Sequence, residues 1–218
     1  MEDVLGPAHD AAYEGNDDSL RSLALANLMA VDADGKTPAH IAAKEGHVRC
    51  LHTLHELGAA ASLSAADAEG MTPAHNAAII GRESCLHALH ELGAAASLSA
   101  ADADGMTPAH IAALHGHVRC LHALHELGAA TSLSAVDAKG KTPAIWAALK
   151  GHESCLRALH ELGAAASLSV ADAKGGTPAH WAAFKGQVSC LHALHELGVS
   201  ASLSVADAGG RTDRKSVV

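Results

Sequence analysis

The stretch TPAHIAAKEGHVRCLHTLHELG at residues 37–58 decides the fold, because the chain spells it out five times with few changes. Thr37 stands where a side-chain oxygen caps a helix, and Pro38 follows at the first helical position, where a missing N–H costs nothing. The spacing predicts a helix over PAHIAAKE that ends at Gly46. A second helix is predicted from about His47 to Leu57, with Gly58 as its left-handed terminator.

Working outward, TPAH recurs at Thr37–His40, Thr72–His75, Thr107–His110 and Thr177–His180, and TPAI stands at Thr142–Ile145. Each step is 35 residues, and Cys50, Cys85, Cys120, Cys155 and Cys190 keep it. The expected organisation is therefore five repeats, 32–66, 67–101, 102–136, 137–171 and 172–206. A degenerate capping repeat at 1–31 contains GPAHDAAYEG, and a tail occupies 207–218. Two short helices cannot bury their apolar faces alone, so stacked neighbours must complete the core.

The unit DGKTPAHIAAKEGHVRCLHTLHELGAA, residues 34–60, resembles an ankyrin repeat. It has the D-x-x-G turn, the T-P-x-H helix start, A-A, G-H and the closing L-x-x-x-G-A. The resemblance covers about residues 6–206 and implies an all-α solenoid of stacked helix-turn-helix units with projecting hairpin-like loops. It also implies that the TPAH histidines bond within and between repeats, and that protein partners dock on the concave helix face and loop tips. Two departures stand out. The period is 35 against about 33 for the family, with the extra residues within GAAASLSAADADG. His55, His90, His125, His160 and His195 occupy a position usually held by leucine.

The recurrent CLHALHELG places a cysteine beside two histidines, the makings of a soft metal site. Helical phase opposes that reading. At about 100° per residue, Leu54 and Leu57 fall within about 40° of Cys50, whereas His52 lies about 200° away. Cys50 should point into the stack and His52 to solvent. Equivalent side chains on neighbouring repeats should be separated by about 8–10 Å. Zinc bonds are about 2.0–2.3 Å, and a disulfide needs Cα atoms within about 7 Å. The cysteines are therefore expected to serve as small buried hydrophobes. No cofactor, metal or catalytic residue is assigned; a metal site on His52 and His55 is the least favoured alternative.

Where the copies disagree, identity should reside. The third residue after each repeat start reads Asp34, Glu69, Asp104, Lys139, Lys174; the fifth reads Lys36, Met71, Met106, Lys141, Gly176. Along the first helix, one column reads Ile41, Asn76, Ile111, Trp146, Trp181. The next variable columns read Lys44, Ile79, Leu114, Leu149, Phe184 and Glu45, Ile80, His115, Lys150, Lys185. By resemblance these columns belong to the binding surface. The candidate partner-binding residues are Met71, Ile79, Ile80, Met106, Leu114, His115, Lys139, Lys141, Trp146, Leu149, Lys150, Lys174, Trp181, Phe184 and Lys185. Aromatic and apolar anchors beside charge suit such a patch. Two bland readings stay open: the tryptophans pack inward, and the lysines form a solvated face. Phe184, Leu149, Ile79 and Ile80 are expected to be exposed.

The formal net charge of −9 argues against a general nucleic-acid binder, which carries a basic footprint. The charge is polarised: residues 1–136 hold 6 Lys/Arg against 17 Asp/Glu, and residues 137–218 hold 9 against 7. No apolar run approaches a membrane span of about 18 residues, and the acidic start lacks a signal-peptide core, so cytoplasm or nucleus is the default. EGNDDS, residues 14–19, reads as a polar N-terminal cap. At the other end, the neighbourhood of Val199 and Leu203 lacks a complete capping repeat and is expected to be open to a partner, unless the chain is a fragment. The closing SVV weakly resembles a PDZ-type ligand. The expected role is a non-enzymatic module that binds another protein; the alternative is a permanent subunit of a larger assembly that uses its edge and its uncapped end.

Overall fold

Proline at the start and glycine at the stop of each helix set the element boundaries. The computed structural model describes residues 6–199, which form thirteen α-helices and no strand among the described residues. Contacts divide the chain into two compact units, Met1–Ala103 and Asp104–Val218. Leu203, the tail at 207–218 and SVV lie outside the described residues.

The first unit begins with α1 (Pro7–Glu14), α2 (Asp17–Arg21) and the short α3 (Leu25–Leu28). Two helix pairs follow: α4 (Pro38–Glu45) with α5 (Val48–Glu56), and α6 (Pro73–Ile80) with α7 (Glu83–Glu91). The boundaries predicted for α4 and α5 differ from these by no more than a residue. Gly46 closes α4 at φ 92, the left-handed region that glycine enters without strain. At the N-terminal end, Asn16 accepts the Ser19 N–H to cap α2. Asp17 pairs with Arg49, and Arg21 with Glu56, at 2.9 Å each.

The second unit repeats the scheme with α8 (Pro108–His115) and α9 (Val118–Glu126), α10 (Pro143–Lys150) and α11 (Glu153–Leu159), and α12 (Pro178–Lys185) and α13 (Val188–Glu196). Within each unit, successive first helices pack side by side, as do successive second helices.

The core is made of small residues and leucine. Cys50, Cys85, Cys120, Cys155 and Cys190 are fully buried, as are Leu54 and its counterparts Leu89, Leu124, Leu159 and Leu194. Burial pushes the thiols up, Cys50 and Cys190 to about 11 and Cys85 and Cys155 to about 12. The buried face of α5 is wider than phase alone indicates: Leu51 and Thr53 are buried too, whereas Leu57, at the C-cap, is half-buried. Among the described residues, no three His, Cys, Asp or Glu side chains converge as metal ligands.

The stretch expected to hold the extra residues of the period contains a 3-10 turn, at Ala60–Leu63, Ala95–Leu98, Ala130–Ser134 and Ala165–Leu168. Each turn buries a leucine completely: Leu63, Leu98, Leu133 and Leu168. The TPAH histidines tie the stack together. His40 Nδ1 accepts the Thr37 N–H at 3.0 Å, and its Nε2 reaches the Met71 carbonyl of the next repeat at 2.9 Å. His110 reaches the Lys141 carbonyl in the same way, at 3.1 Å.

Candidate functional site

A loop built around one aspartate sets the geometry of the fourth repeat. The Lys139 and Lys141 N–H groups both donate to Asp137 Oδ1 at 2.8 Å, and the Asp137 N–H donates to the Lys141 carbonyl at 2.9 Å. Gly140 turns the chain at φ 74, and a Cβ there would meet the Ala173 nitrogen at 2.9 Å, so the next repeat's backbone excludes any other residue. The loop leaves the second carboxylate oxygen for α10: Trp146 Nε1 donates to Asp137 Oδ2 at 3.0 Å. The fifth repeat copies the arrangement. Asp172 Oδ1 accepts from Lys174 N and Gly176 N, and Asp172 Oδ2 accepts from Trp181 Nε1, each at 2.9 Å. A Cβ on Gly176 would lie 2.8 Å from Trp181 Nε1, so the absent side chain gives the indole its room.

Between these two anchored indoles lies a cation. Lys141 Nζ is 4.5 Å from the Trp146 ring centroid and 4.2 Å from that of Trp181. Such contacts contribute about 0.5–2 kcal/mol each, more as water is excluded. Burial pushes the Lys141 ammonium below its ordinary value of 10.5; the carboxylates of Asp172 and Asp137 oppose that shift, and Lys139 and Lys174 add to it. One turn further along α12, Phe184 meets Trp181 edge to face at 5.9 Å. Lys185 Nζ stands 5.4 Å from the Phe184 ring. Phe184 is 62% exposed.

The structure thus joins Lys141, Trp146, Trp181, Phe184 and Lys185 in one ladder, with the exposed Lys139 and Lys174 beside it. Both tryptophans are half-buried: each indole N–H is tied inward, while the ring carries the exposed ladder. His115 and Lys150 form a second group. His115 stacks on His117 at 6.2 Å, and partial burial with the charges of His117, His152 and Lys150 lowers its basicity. His152 Nε2 donates to the Leu114 carbonyl at 3.1 Å.

Several candidates are placed differently from expectation. Met106 is buried at 9% exposure and so lies beneath the surface rather than on it. Leu149 and Ile79 are half-buried rather than exposed, as is Leu114. Ile80 is exposed at 40%. Met71, Ile79 and Ile80 belong to the first unit, whereas every member of the ladder belongs to the second.

Sequence reading missed Asp137 and Asp172, which orient the indoles. The available signal was an aspartate nine residues before each tryptophan. It also gave no sign that Lys141 would lie between the two indoles. A family model described as ankyrin repeats, in three copies, matches residues 8–100, 57–135, 81–168 and 127–207.

Proposed function

Since the chain belongs to the ankyrin repeat family, whose repeats are generally protein–protein interaction modules, we propose that it binds a protein partner on the aromatic ladder of its fourth and fifth repeats. One observation carries this reading: Trp146, Lys141, Trp181, Phe184 and Lys185 are linked each to the next at a surface, with Phe184 largely exposed. Tryptophan is enriched among the few residues that carry most of an interface's binding energy. The indoles are held by aspartates and the ammonium is held by the indoles, so little side-chain freedom remains to be lost at docking. No helix among the described residues is long and apolar enough to cross a membrane.

Replacing Trp181 and Phe184 together by alanine tests the proposal. Partner recovery by the variant is compared with that of the intact chain, and circular dichroism monitors the helices. The expected result is an unchanged helical signal with binding weakened by about 2 kcal/mol or more, roughly thirtyfold. Equal recovery by both baits removes the ladder as the binding centre.

A further inference from the structure

We infer that the segment docking on this ladder is acidic and carries an apolar anchor: carboxylates for the lysines and an aliphatic or aromatic side chain for Phe184 and Trp181. The inference rests on the interface reading above and adds the chemistry of the partner.

The charge around the ladder is one-sided. Lys139, Lys141, Lys150, Lys174 and Lys185 form no ion pair among the described residues. The nearby carboxylates are already engaged. Asp137 and Asp172 are 6% and 7% exposed, and each accepts two backbone N–H groups and an indole N–H. The second unit's Arg157, by contrast, is neutralised by Glu153 and Glu196 on the second helices at 2.8 and 2.6 Å.

The first repeat supplies an internal comparison. There Lys36 holds the place of Lys141 and pairs with Asp34 at 2.9 Å. In the fourth repeat Lys139 stands in the place of Asp34, so the counterion is missing and a second cation takes its position. A lysine clamped between two rings also presents its remaining N–H donors without first being ordered. A carboxylate from outside completes this arrangement with a charge-assisted hydrogen bond.

The same lysines attract any polyanion, and the range of the field decides between them. Exposed charges act over a Debye length of about 8 Å at physiological salt. A short acidic segment experiences the local cluster. A long nucleic acid or a charged membrane also experiences the remainder of a chain whose net charge is −9.

The chain has two tryptophans, both in the ladder, so fluorescence excited at the red edge, where Tyr13 does not absorb, reports on this site. Titrations of the full chain use a synthetic peptide alternating Glu with Leu, its Gln-Leu and Lys-Leu counterparts, oligothymidylate, and phosphatidylserine vesicles. The Glu-Leu peptide is expected to shift the emission saturably and to bind less tightly as salt is raised. Lys139→Glu with Lys174→Glu, which flank the rings, should weaken it at least about tenfold. Absence of a saturable response to this peptide overturns the inference, as does equal or tighter binding of the Gln or Lys peptide. Preferred binding of oligothymidylate or vesicles overturns it in favour of those partners. If a Gln or Lys peptide binds and Phe184→Ala abolishes that binding, the interface reading survives and only the acidic class is lost.

Discussion

His40 makes opposite use of its two ring nitrogens, and this asymmetry carries a pH dependence. The Met71 carbonyl can only accept, so Nε2 carries the proton; the Thr37 N–H can only donate, so Nδ1 carries a lone pair. Protonating Nδ1 would set two N–H groups against each other in a buried site. Burial accordingly lowers the His40 pKa below 6.5, outweighing the Met71 hydrogen bond and the Asp67 and Asp32 carboxylates, which raise it; Lys36 lowers it further. The unfolded chain therefore binds more protons than the folded one below 6.5, and stability rises with pH across that window. Its contribution is complete above the ordinary value of 6.5 and is lost as pH falls below it. Replacing His40 by Ile, the residue that fills the equivalent buried position at Ile145, should cost about 1–3 kcal/mol above that pH. It should also flatten the pH slope. Urea unfolding across the window checks both; an unchanged slope would assign the acid sensitivity to other groups.

At the scale of elements, the 3-10 turn explains how a 35-residue repeat stays in register. The Thr37 hydroxyl donates to the Ser62 carbonyl at 3.2 Å, and Ser62 Oγ donates to the Ala59 carbonyl at 2.7 Å. Beside them Leu63 fills the core. Leu168 has the same role in the fourth repeat, so Leu168→Ala should cost about 2–5 kcal/mol, read as a lower urea midpoint with unchanged slope. A loss below about 1 kcal/mol would mean that the turn is peripheral to the core. The limits of sequence reading are visible at the same scale. Proline, glycine and the recurring Thr-Pro-Ala-His located α4 and α5 within a residue, because these residues act through local backbone chemistry; α11, which ends at Leu159, is shorter than its counterparts. AAASLS has no period, so its sequence did not reveal that it would coil and bury a leucine. The ladder was half legible: the variable columns contained every member, but their order in space depends on how one repeat lies against the next. Lys141 is five residues before Trp146 and contacts Trp181 only through that stacking. Met106 had the composition of a surface anchor, and burial is settled by neighbours rather than by residue type.

For the molecule as a whole, charge is sorted along the chain, and in the second unit glutamate and lysine occupy different elements. Glu126, Glu153, Glu161 and Glu196 lie on the second helices or at their ends, whereas Lys139, Lys141, Lys150, Lys174 and Lys185 follow the loops and first helices. Concentrating like charge destabilises a folded chain, and Lys139 and Lys174 do act against the Lys141 ammonium. The first repeat has the remedy: Asp34 beside Lys36 raises that lysine's pKa instead. Lys139→Asp transplants this pair onto the ladder. It replaces a repulsion by an ion pair whose exposed analogues contribute about 0.2–1 kcal/mol. The variant should melt at a higher temperature than the natural chain at low ionic strength, and the gap should narrow as salt shortens the Debye length towards about 3 Å at 1 M. Binding of the Glu-Leu peptide should weaken in the same variant, since the new carboxylate competes for Lys141. Paired melting curves at low and high salt separate this from a packing effect, because a gain from packing would persist at both. A variant no more stable than the natural chain at low salt would show that the lysine cluster carries no electrostatic strain. A gain in stability accompanied by loss of peptide binding would identify the missing counterion as a feature retained for the partner at the expense of the fold.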